Sequence, residues 1–315
     1  MGGDLRNPQI GKGRGRMANA AYNGPIIDAH HHFWDLGLNR HPWLANPAEH
    51  AFLRRDHLVA DYLKLAAGTG IVATVHAEAN WDPADPLGET EWLDRLDRPA
   101  GIASRYVAYA ALGAPDAAET LERLAANSRV VGIREILSWH PDPAKARAAR
   151  RDIMRDTVWR GRLALLERHH FSFDLLISPW QLDLALELAQ AFPGIRFILN
   201  HCGSPMDRDA EGMARWRQGM KALGRMDNAF VKLSDPVAYD PRWTRESLAE
   251  VLLCCIDCFG PARSMFATDH PVSGLHIGFG EWLAEFGAIV AQFSDDEKRA
   301  LYFGCARDVY RVPLP

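Results

Sequence analysis

Ile26-Ile27-Asp28-Ala29-His30-His31-His32-Phe33-Trp34 is the stretch on which the fold turns. It begins as an apolar, β-branched run, as a buried strand does, and it ends in a crowd of imidazoles. The residues after it form no glycine-rich phosphate loop, which a doubly wound dinucleotide-binding sheet needs behind its first strand. Seven more β-rich runs follow, at Ile71–Ala79, Ser104–Leu112, Val130–Leu137, Ser172–Ser178, Arg196–Gly203, Ala229–Asp235 and Ser264–Val272. They are spaced by about 24 to 45 residues. Helical patterns such as residues 117–127, 181–192 and 246–260 lie between them. Eight strand–helix alternations predict an α/β protein with a parallel sheet closed as a (β/α)8 TIM barrel, and an open doubly wound sheet is the rival.

The 315 residues, 48% hydrophobic and 24% charged, fit an ordinary globular enzyme and exclude collagenous, coiled-coil and disordered classes. No linker-like break follows Ile26, so one domain over residues 25–315 is expected. Residues 1–24 are rich in Gly, Arg and Lys without apolar periodicity, which predicts a disordered N-terminal tail, with Met17 a second possible start. The tail has neither the apolar nor the amphipathic segment of a targeting leader. A formal charge of −4 offers no field to recruit nucleic acid or an acidic membrane, and no apolar run has membrane-spanning length. Five cysteines, an odd count, predict reduced thiols and a cytoplasmic protein with a small-molecule substrate.

A barrel carries its chemistry at the C-terminal ends of its strands. Period two along strand one puts Asp28, His30 and His32 on one face and His31 on the other. Strand six ends in Asn200-His201-Cys202-Gly203 and strand eight in Thr268-Asp269-His270-Pro271. His30, His32, His201 and Asp269 thus form a candidate set for one divalent ion, zinc first. The alternative is four polar residues in a mouth that binds an organic ligand without metal. Two long loops, about residues 34–55 and 140–157, are placed over the same mouth.

Asp28-x-His30-x-His32-x-Trp34, Leu199-Asn200-His201-x-Gly203 and Thr268-Asp269-x-Pro271-Val272 together resemble the amidohydrolase superfamily. Within it they look like the branch of lactonases acting on pyrone-dicarboxylate, sulfomuconolactone and sugar lactones. His41-Pro42-Trp43-Leu44, the segment from Glu78 to Thr90, Gly132-Ile133-Arg134 and Val231-Lys232-Leu233-Ser234 extend the likeness over residues 26–312. Three positions depart from it. Strand five has no histidine, Ser234-Asp235 stands where Ser-Gly is usual, and Cys305-Ala306 replaces Asn-Ala.

The resemblance implies a hydrolase that opens a sugar-acid or carboxylated lactone with activated water. Asp269 is then the candidate general base, its alternative being a helix cap. His201 is a ligand, a proton donor or a carbonyl polariser. Arg134, Glu78, His76 and Trp34 are candidate substrate contacts. Arg134 suits a carboxylate or ring oxygen, with a salt bridge to Glu78 or Glu135 as its structural alternative. Cys254, Cys255 and Cys258 lie in an apolar helical pattern and are expected to pack. A metal-dependent decarboxylase of the same superfamily is the second functional reading, and a barrel that only binds a ligand is the third.

Overall fold

A computed structural model describes residues 22–46 and 51–313. The expected strands all form: β1 (Ile26–His31), β2 (Ile71–Ala77), β3 (Arg105–Tyr109), β4 (Val130–Ile136), β5 (Ser172–Leu176), β6 (Phe197–Leu199), β7 (Ala229–Leu233) and β8 (Ser264–Phe266). Each pairs in parallel with the next. Strands covered on both faces need near-continuous apolar sequence, which is why these runs were legible.

The sheet closes where β8 meets β1. Asp269 N–H donates to His30 O at 2.8 Å and His32 N–H donates to His270 O at 2.7 Å. Ile27, Ala29, Ala73, Val75, Val107, Val131, Ile198 and Met265 fill the interior, together with Val309 and Tyr310 of the C-terminal helix Cys305–Tyr310. A larger apolar layer joins the strands to the outer helices.

One expectation about β1 fails. Ile27 and Ala29 belong to the interior, and Asp28 turns outward to the helix layer. The register of β1 against β2 shifts between Asp28 and His31, so the period of two breaks and His30 and His32 reach the mouth without Asp28. Buried Asp28 instead knots the seam. Its carboxylate accepts from Thr268 N–H (2.8 Å), Thr268 Oγ1 (2.6 Å), His30 N–H (3.2 Å) and Tyr62 Oη (2.7 Å). Burial pushes its pKa up to about 6 against the pull of those four bonds.

Residues 1–21 of the expected tail lie outside the described residues. Tyr22, also placed in the tail, stacks on Tyr302 with ring centroids 4.7 Å apart, so packing begins by residue 22. Cys254, Cys255 and Cys258 fall on helix Arg245–Phe259, and all five thiols are free. Among the described residues, no helix is long and apolar enough to cross a membrane.

Candidate active site

The chain turns sharply as it leaves β6, β7 and β8. His201, Cys202 and Ser204 (φ 48°, 55°, 52°), Asp235 (φ 45°) and Asp269 (φ 53°) all adopt left-handed backbone. Each costs a side-chain-bearing residue about 1–3 kcal/mol, a strain that proteins concentrate at functional sites.

His30 Nε2 lies 3.2 Å from His32 Nε2 and 3.3 Å from Asp269 Oδ1, and His32 Nε2 lies 3.2 Å from the same oxygen. All three side chains are buried, with their donor atoms within 4.8 Å of one another. His32 Nδ1 sits 2.8 Å from Ala77 O, so the proton is on Nδ1 and Nε2 turns a lone pair toward Asp269. His30 faces a cation at each ring nitrogen. Lys232 Nζ is 3.1 Å from its Nδ1 and is itself paired with Asp174 Oδ2 at 2.7 Å, and Arg134 Nη1 is 3.2 Å from its Nε2. Both cations only donate, so the neutral ring can accept from one of them at a time.

His201 stands beside this trio rather than within it. Its Nδ1 meets Ser234 Oγ at 2.9 Å and is 3.8 Å from Asp269 Oδ2. Burial holds its pKa down at about 4, so the ring is neutral at pH 7. Burial and the Asp269 charge push Asp235 well above the carboxylate range. Protonated Asp235 hydrogen-bonds Asp269, and this contact favours the ionised form of Asp269 against burial. One carboxyl of the pair is acid and the other is base.

Arg134 Nε donates to Glu78 Oε1 at 2.6 Å, Nη2 reaches Glu78 O, and Nη1 lies 3.2 Å from His30 Nε2. The Glu78 pairing holds and the Glu135 alternative fails, because Glu135 accepts from Trp159 Nε1 at 2.8 Å instead. His76 lies behind the strand, its Nε2 accepting from Phe33 N–H at 3.0 Å. Trp34 is fully buried, and its indole N–H donates to Arg55 O at 2.8 Å within its own loop. The structure therefore brings His30, His32, His201, Asp269, Arg134 and Glu78 together and turns His76 and Trp34, expected as substrate contacts, to backbone partners instead. Sequence reasoning missed the Lys232–Asp174 pair. The available signal was a charged residue inside each of two strands that must be buried.

Residues 27–312 match the family described as amidohydrolase. An uncharacterized Sinorhizobium fredii protein is 33% identical over 293 residues, covering 91% of this chain and 98% of its own. An L-fucono-1,5-lactonase of Burkholderia multivorans is 29% identical over 304 residues, covering 92% and 97%. A crystal structure of a Burkholderia multivorans amidohydrolase with bound zinc superposes with a TM-score of 0.76 at 25% identity, covering 92% of this chain and 100% of that one. With the family match spanning nearly all of the barrel, the chain belongs to the amidohydrolase family.

Proposed function

We propose that the protein opens a lactone ring by attack of a water that Asp269 deprotonates. The observation that carries this reading is the convergence of an ionised Asp269 with two buried imidazoles, His30 and His32, at the barrel seam. The relatives named L-fucono-1,5-lactonase support a cyclic ester as substrate. Asp269 takes the water proton, and the N–H groups of Arg134 favour charge developing on the carbonyl oxygen. His201, steadied by Ser234 and 3.8 Å from Asp269 Oδ2, passes that proton from Asp269 to the leaving ring oxygen. Glu78 holds the Arg134 fork. β5 carries Asp174 and no histidine, so a decarboxylase finds no second imidazole on that side.

Arg134→Lys tests the anchor. An ammonium cannot reach Glu78 Oε1, Glu78 O and the His30 ring together, so kcat/KM is expected to fall roughly 10- to 100-fold. Steady-state kinetics on a lactone panel, followed by pH drift, measures this. Equal efficiency of the Lys variant would reduce Arg134 to a point charge.

We also assign one divalent ion, zinc first, to His30, His32 and Asp269. His32 and Asp269 present lone pairs as they stand, and neutral His30 adds a ring nitrogen beside them, so the donor set fits. When bound, such an ion lowers the pKa of a water and polarises a carbonyl. Purified protein is expected to contain about one zinc per chain, and His30→Ala to lose the ion and most activity together. Elemental analysis before and after a chelator checks this. Active enzyme without stoichiometric metal, indifferent to chelators, would leave His30, His32 and His201 acting on the carbonyl directly.

A further inference from the structure

His41 is the one histidine among the described residues with both ring nitrogens buried and unpartnered. Other buried histidines are engaged: His31 Nε2 with Thr74 Oγ1 at 2.8 Å, His57 Nε2 with Phe52 O at 2.9 Å, and His140 Nε2 with Asp207 at 3.0 Å. Leaving a buried polar group unsatisfied costs about 1–3 kcal/mol, so an idle ring in the interior calls for an occupant.

The place of His41 says where that occupant sits. Its ring is 5.2 Å from that of Trp81 and 6.3 Å from that of Trp34, crossing both at steep angles. Trp34 follows His32 by two residues, and Trp81 follows Glu78 by three. His41 also lies close enough to His32 and His76 to be coupled to each electrostatically. The backbone around it is pinned. Arg40 O accepts Asp82 N–H at 2.7 Å, and Trp43 Nε1 donates to Ala79 O at 2.9 Å. A rigidly held ring with nothing to hold is a preorganised contact.

The chemistry then narrows the ligand. Burial keeps His41 neutral, with a pKa near 4, so it offers one N–H donor and one lone pair. A carboxylate can use only the N–H, whereas the hydroxyls of a polyol can use the N–H and the lone pair. The cations of the mouth are already matched, Arg134 by Glu78 and Lys232 by Asp174, which leaves none free for a substrate carboxylate. We propose that His41 grips a ring hydroxyl of the substrate, selecting a neutral, polyhydroxylated lactone over an unsubstituted or carboxylated one. The inference rests on the lactonase reading for its substrate but not for its test.

Two pairs of probes separate the two ideas: a sugar δ-lactone with δ-valerolactone for turnover, and a sugar δ-lactam with δ-valerolactam for binding by tryptophan fluorescence. Wild type is expected to favour the hydroxylated member of each pair by at least about tenfold. His41→Phe fills the space between the tryptophans without hydrogen-bonding and should abolish that preference. His41→Gln, which keeps a donor and an acceptor, should retain most of it. If no lactone turns over while the lactam preference and its loss in His41→Phe persist, the lactonase reading fails and this one stands. A wild type that binds both lactams alike overturns the proposal. So does a folded His41→Phe that weakens both members of a pair equally, which would leave His41 with a structural or water-filled role.

Discussion

Asp269→Asn is expected to lower kcat by at least about 10² while the barrel stays folded. Asn matches the shape of the carboxylate and can still hydrogen-bond, and its amide N–H finds the His32 Nε2 lone pair 3.2 Å from the present oxygen. What it cannot do is take a proton from water. The substitution also relieves Asp235, whose pKa is raised partly by the Asp269 charge. Asp235 should therefore ionise at lower pH in the variant, and any residual rate should follow a pH profile displaced to the acid side. Single-turnover kinetics across pH, with circular dichroism for the fold, tests both parts. Near-normal turnover in a folded Asn variant would remove Asp269 as the base.

Asp28→Ala is expected to be the most damaging single change to stability. It strands four buried donors drawn from β1, the end of β8 and helix Val59–Ala66. Breaking such a network costs about 3–5 kcal/mol, or a Tm drop on the order of 10 °C for a chain of this size. The pH dependence has a definite sign. The folded pKa of Asp28, about 6, lies above its unfolded value, so its contribution to stability is complete below about pH 4 and is lost as pH rises through 6. The gap in Tm between wild type and Asp28→Ala should thus be wider at pH 4 than at pH 7. Thermal melts at the two pH values measure it, and a gap that is constant, or smaller than about 3 °C, counts against the role given to Asp28.

Strand positions were readable because a parallel strand buried on both faces must be largely apolar, as Phe197–Leu199 is. His30, His32, His201 and Asp269 were readable because polar side chains at the ends of such strands have few structural reasons to be there. Asp28 was misplaced because counting by two assumes an unbroken strand, and a register shift leaves no mark in composition. The Lys232–Asp174 pair joins β5 and β7 over the intervening β6, a neighbourhood that exists only once the sheet has formed. His41 could be named as part of a motif, but an idle ring is visible only when every possible partner has been placed around it.

His32 and Asp269 are 237 residues apart, and at ordinary ribosomal rates of about 5–20 residues per second the first waits roughly 10–50 s for the second to be made. Throughout that interval the nascent chain exposes two imidazoles of β1 without the carboxylate that gives them a task. Chains released early by stalled translation are therefore inert instead of partly active. Turnover becomes a reading of how many barrels have been finished and closed, so an assay in a translation extract would follow ring closure itself.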